Sequence, residues 1–158
     1  MKVMELDTPA LLIDQEILLE NIRSMQGYAD ANGVKLRPHT KTHKMPYVAK
    51  LQKKAGATGI TVAKTGEAEV MAARGLDDIF IANQVVGKTK LERVRKLAES
   101  IDVSFGVDSP VQIKQIEEVF RGAQKPAQVL VEIEVGEKRS GVIEESDFRT
   151  LFGSDPHH

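Results

Sequence analysis

The 158-residue chain has no cysteine and no tryptophan. The first absence excludes disulfides, thiolate metal sites and cysteine nucleophiles, and it fits a cytoplasmic protein. The second, with aromatics at only 4%, leaves no stacking platform for nucleic acid. A net charge of -1 gives no global attraction to nucleic acid or to a membrane surface. No apolar run is long enough to span a bilayer. The opening Met1-Lys-Val-Met-Glu-Leu-Asp7 lacks the apolar core of a signal peptide. Two nucleotide signatures are also missing: no Gly-x-Gly-x-x-Gly follows a strand, and there is no P-loop. What remains is an ordinary globular composition, 41% apolar and 28% charged. It suits one domain spanning 1–158 with a sizeable core.

The apolar pattern alternates short β-type runs with amphipathic helices. Strands are expected over 10–13, 34–40, 59–63, 78–82, 103–107 and 128–135. After the first, Leu18, Ile22, Met25 and Ala29 recur at helical spacing, with Asp14 as N-cap. Pro46 opens the next helix, with Val48 and Leu51 inward. A third helix carries Ala68, Val70, Met71 and Ala72, with Thr65 as its cap and Glu67 in its first turn, and ends near Gly75. Leu91, Val94 and Leu97 mark a fourth. Ser109-Pro-Val-Gln112 starts a fifth, which buries Val111, Ile113, Ile116 and Phe120 and closes at Gly122. A sixth runs from Ser146, with Phe148, Leu151 and Phe152 apolar. Such alternation implies parallel βαβ units. The fold class is α/β: about six βα units of an incomplete (β/α)8 TIM-type barrel, which needs eight units and about 250 residues. The end of the chain falls where a seventh strand would follow.

Charge is concentrated between residues 35 and 54, which hold seven Lys or Arg and no acid. If the strand over 34–40 runs on, its alternation puts Lys35, Arg37, His39, Lys41 and His43 on one face. Unpaired cations are costly to bury, so this face looks either into solvent or into a site holding an anion. In barrels the chemistry sits at the C-terminal ends of strands, where His39, Lys41 and His43 fall. Like-charge crowding and desolvation favour the neutral form of an amine, and a neutral amine is what attacks an aldehyde. Pyridoxal phosphate offers that aldehyde together with a compensating phosphate. On spacing alone, a strand end rich in lysine and histidine is more often a solvated rim than a catalytic site.

Three stretches carry a family resemblance: Asp7-Thr-Pro-Ala-Leu-Leu-Ile-Asp14, followed by Asn21-Ile22; Arg37-Pro-His-Thr-Lys-Thr-His-Lys44; and Val131-Glu-Ile-Glu-Val-Gly-Glu-Lys-Arg-Ser-Gly-Val142. They resemble the D-threonine aldolase and D-serine dehydratase-like group, fold-type III pyridoxal-phosphate enzymes built on an alanine racemase-type N-terminal barrel. The resemblance implies that Lys41 forms the Schiff base with the cofactor and that Arg139 faces its phenolate oxygen. It also implies that His39 and Arg37 line the cofactor pocket. Thr65-Gly-Glu-Ala68 and Asn83-Gln-Val-Val86 are similar to further family segments at strand ends.

The expected activity is a pyridoxal-phosphate-dependent lyase cleaving β-hydroxy D-amino acids to glycine and an aldehyde. D-serine dehydration is the close alternative, and a fragment without catalytic competence is another. The family's C-terminal β domain, with its divalent metal (Mn, Mg or Zn) and the metal's ligands, is expected to lie outside this chain. His157 and His158 are read as an end and not as metal ligands. Six strands leave open parallel edges, so a homodimer or other self-association is expected.

Overall fold

The computed structural model describes residues 2–151. Four strands, β1 (Ile60–Val62), β2 (Asp78–Gln84), β3 (Asp102–Val107) and β4 (Gln128–Val131), form one sheet in the order β1-β2-β3-β4. Every neighbouring pair is parallel. Six α-helices alternate with or flank them: α1 (Gln15–Ala31), α2 (Pro46–Ala55), α3 (Thr65–Ala72), α4 (Lys88–Ala98), α5 (Pro110–Phe120) and α6 (Glu145–Leu151). This is the expected α/β class and a partial barrel.

Local chemistry starts the helices where expected. The Asp14 carboxylate accepts the Glu16 and Ile17 N–H groups at 2.9 and 3.1 Å. Pro46 and Pro110 occupy first-turn positions, where a missing N–H costs nothing. Thr65, expected as a cap, lies inside α3, and Lys64 precedes it. No side chain caps α3; Glu67, in its first turn as expected, instead accepts the N–H of Ala63 before the helix at 2.8 Å. Two inward assignments are corrected. Met25 is exposed and Gln26 is buried in its place; Val111 is exposed, while Gln112 is buried and accepts the Asp108 N–H at 3.0 Å.

Two expected strands are not strands. Residues 10–13 pair with nothing among the described residues, and Leu11 is almost fully exposed. Over 34–40 the backbone runs beside β1 but makes only the isolated bridge His39↔Thr61. The Leu36 and Pro38 carbonyls accept N–H groups of Thr58 and Thr61, at 2.9 and 2.7 Å. Pro38 has no N–H to return, so a full ladder does not form. Likewise 128–135 is a ladder strand only to Val131. Phe152 and the terminal histidines lie outside the described residues.

The core fills the space between one sheet face and the helices. Ile60, Ile79, Ile81 and Phe105 from the strands meet Met71 and Leu91 from α3 and α4, all essentially inaccessible. At the start of the strands Arg37 makes a two-pronged ion pair with Asp78, Nη2 to Oδ2 being 3.1 Å. This pair lies against Gly59, where a Cβ would come within 2.7 Å of the Asp78 carboxyl. Gly59→Ala should therefore expel the pair and lower stability by about 1–3 kcal/mol, read as a lower urea midpoint at unchanged slope.

Candidate active site

Lys41 is carried by a single 3-10 turn, Thr40–Thr42, between the extended segment and α2. The turn is anchored on both sides. Buried Thr40 donates its hydroxyl to the Thr61 carbonyl at 3.1 Å. Lys44, in a left-handed conformation, reaches the buried Glu67 carboxylate at 3.2 Å. Between them the Lys41 N–H donates to His39 Nδ1 at 3.2 Å. That bond leaves the neutral imidazole's proton on Nε2. The turn also ends the strand alternation, so the five basic side chains do not share one face.

Arg139 arrives from the other end of the sequence. After β4 the chain leaves at Glu132 and returns at Val142, whose N–H donates to the Glu132 carbonyl at 2.9 Å. The loop between them is tied by Glu134, whose carboxylate accepts the N–H groups of Gly136 and Arg139. The N–H groups of Lys138 and Gly136 hold that carboxyl below the usual range.

A pocket of about 420 Å³ opens at the C-terminal end of the sheet, lined by His39, Lys41, Gln84, Glu132, Arg139 and Ser140, with the small side chains Ala63 and Ala82 beside them. Three expected site residues, His39, Lys41 and Arg139, thus meet in one place. Arg37 does not: its guanidinium is committed to Asp78 at the opposite end of the strands. Glu132 and Ser140 were not expected there, whereas Gln84 belongs to the Asn83-Gln-Val-Val86 segment expected at a strand end. Asn83, from the same segment, lines the pocket beside it.

Burial, followed by the charge of Lys41, holds His39 below its ordinary 6.5. Burial does the same for His43. For Glu67, burial pushes upward, but the Ala63 N–H and Lys44 outweigh it and keep the carboxyl below 4.5. Among the described residues no group of three or more His, Asp or Glu is placed to hold a metal ion. Their donor set does not fit the metal that the resemblance implies. No helix among them is long and apolar enough to cross a membrane.

A family model described as "alanine racemase, N-terminal domain" matches residues 13–154. The chain belongs to this family. D-threonine aldolase of Arthrobacter sp. is 40% identical over 140 residues, which are 89% of this chain and 37% of that protein. The crystal structure of D-threonine aldolase from Filomicrobium marinum superposes with a TM-score of 0.86 at 40% identity, covering 89% of this chain and 38% of that one. D-threo-3-hydroxyaspartate dehydratase from Delftia sp. HT23 gives 0.84 at 37% identity, over 94% and 41%. This alanine racemase-type chain therefore spans about two fifths of the length of the relatives it matches.

The depressed groups all act in one direction. Below pH 6.5 the unfolded chain protonates its histidines before the folded chain does, so stability is lost as pH falls through that range. Glu67 adds a further loss below 4.5. His43→Gln should flatten the upper part of the curve and Glu67→Gln the lower part. Urea midpoints measured from roughly pH 7.5 down to pH 3.5 resolve the two.

Proposed function

We propose that this pocket binds pyridoxal phosphate at Lys41 and serves a lyase acting on β-hydroxy D-amino acids, releasing glycine and an aldehyde. The observation that carries this reading is the meeting of Lys41, His39 and Arg139 at the C-terminal end of a parallel sheet, the usual place for chemistry in barrels.

The residues present fit the cofactor. Lys41 supplies an exposed amine for its aldehyde carbon. Ala63 and Ala82 leave room for a flat ring. The Arg139 guanidinium, exposed and paired with Glu137 at 3.7 Å, is available to donate to the ring's phenolate oxygen, a charge-assisted bond. His39 presents its Nε2–H beside Lys41 and is neutral at pH 7, so it adds a donor without another cation. When bound, the cofactor supplies an electron sink for the pair left on Cα as a bond there breaks. The chain's own part is to hold that cofactor by Lys41 and Arg139 and to keep the amine turn rigid through Thr40 and Glu67.

Dehydration of a β-hydroxy D-amino acid is the second reading. It is favoured by the nearly equal likeness to the Delftia dehydratase. Product analysis separates the two, glycine and aldehyde against a 2-oxo acid and ammonia. Self-association belongs to the same proposal, because Leu130 on β4 and Ile133 beyond it both stay exposed.

Addition of pyridoxal phosphate should produce a visible absorption band, and borohydride should then fix the label on Lys41. An unchanged band in Lys41→Ala would sink the assignment. Incubation with D-threonine, with and without a divalent cation, tests whether this length of chain turns over. Sedimentation that shows a monomer at every concentration would count against self-association.

A further inference from the structure

β2 and β3 stay in register from Asp78↔Asp102 to Ile81↔Phe105, and then slip, so that the next pair is Gln84↔Gly106. Ala82 and Asn83 have no partner in between. An irregularity of this kind re-aims the side chain that follows it. Here it turns Gln84 toward the ends of the next two strands. The Gln84 amide nitrogen donates to Asp108 Oδ2 at 2.9 Å and to Glu132 Oε2 at 2.8 Å.

Each carboxylate oxygen then takes a second donor, and both donors come from the loop that carries Arg139. Glu132 Oε2 accepts the Ser140 hydroxyl at 2.9 Å. Asp108 Oδ2 accepts the Gly141 N–H at 3.0 Å. Gly106 makes the space for this cluster, since a Cβ there would stand 3.0 Å from Glu132 Cδ. Two carboxylates brought this close repel one another unless donors lie between them. A neutral amide offers two N–H groups on one nitrogen, one for each oxygen, and adds no charge.

We propose that Gln84 is a positioning residue for Arg139. It draws Asp108 and Glu132 together, and through them it holds Ser140 and Gly141, so that the guanidinium stays at the mouth of the pocket. The inference rests on the cofactor-facing role given to Arg139 above. No step of the reaction is assigned to Gln84 itself.

The test uses hydrogen exchange and cofactor titration on the same samples. Gln84→Glu removes both donors and adds a third carboxylate. Ser140→Ala removes one link and leaves the strand untouched. Without cofactor, Gln84→Glu should speed exchange of the Arg139 and Gly141 amides roughly tenfold or more, the size expected when a hydrogen bond to a charged group is lost. The amides of β1 and of β3 up to Phe105 should be unaffected. Ser140→Ala should give a smaller change of the same sign. Half-saturation with pyridoxal phosphate should need several times more cofactor in Gln84→Glu, while borohydride still labels Lys41. Unchanged exchange in both variants would overturn the proposal, and so would faster exchange with unaltered cofactor affinity. If the unsubstituted chain takes up no cofactor, the reading of the pocket fails, whereas exchange still decides whether Gln84 holds the loop.

Discussion

The carbonyls of Leu36 and Pro38 accept backbone hydrogen bonds from Thr58 and Thr61, and these contacts set where Lys41 can be. They dock an otherwise unpaired segment against β1, in the parallel direction shared by the other strands. Thr40 then buries its side chain and bonds the Thr61 carbonyl. The chain has to turn there, and the amine emerges at the end of the sheet. Parallel pairing does the rest, because it brings the ends of β1, β2 and β4 to the same side as that turn. The pocket is a consequence of strand direction before it is a consequence of any side chain.

The same constraint separates two roles within one basic run. Arg37 lies at the entrance to the strands, where it pairs with Asp78 over Gly59. Lys41 lies at the exit, in the pocket with Arg139. Four residues of extended backbone span most of a short strand, so neighbours in a motif can serve opposite ends of a sheet. In barrels the entrance end is where residues act on stability and the exit end is where they act on chemistry. The motif therefore mixes a structural cation with a candidate chemical one.

Much of the helical framework was legible because its signals are local. Asp14, Pro46 and the Ser109-Pro110 pair act within a turn of where they stand. The strands at 59–63, 78–82 and 103–107 were legible because their apolar runs are buried against helices. The run over 10–13 misled, since a strand exists only if a partner accepts its hydrogen bonds. The run over 34–40 misled because Pro38 cannot complete a ladder. Met25 and Gln26 changed places for a related reason: periodicity gives a helix a face, but the neighbouring α2 decides which edge of that face is covered. In the site, Lys41, His39 and Arg139 were readable from motifs. Gln84 and Glu67 stood in family segments too, but the partners through which they and Glu132 act lie on other elements and were not readable.

The sequence by itself determined the α/β class and, through motifs, the family. Those follow from periodicity, caps and short motifs, all properties of neighbouring residues. Tertiary structure alone decided that Lys41 and Arg139 share a pocket and that Arg37 is elsewhere. It also decided that a slipped register aims Gln84 at two carboxylates just past the ends of β3 and β4. These depend on hydrogen-bond register between segments far apart in the chain, and no local pattern encodes that register.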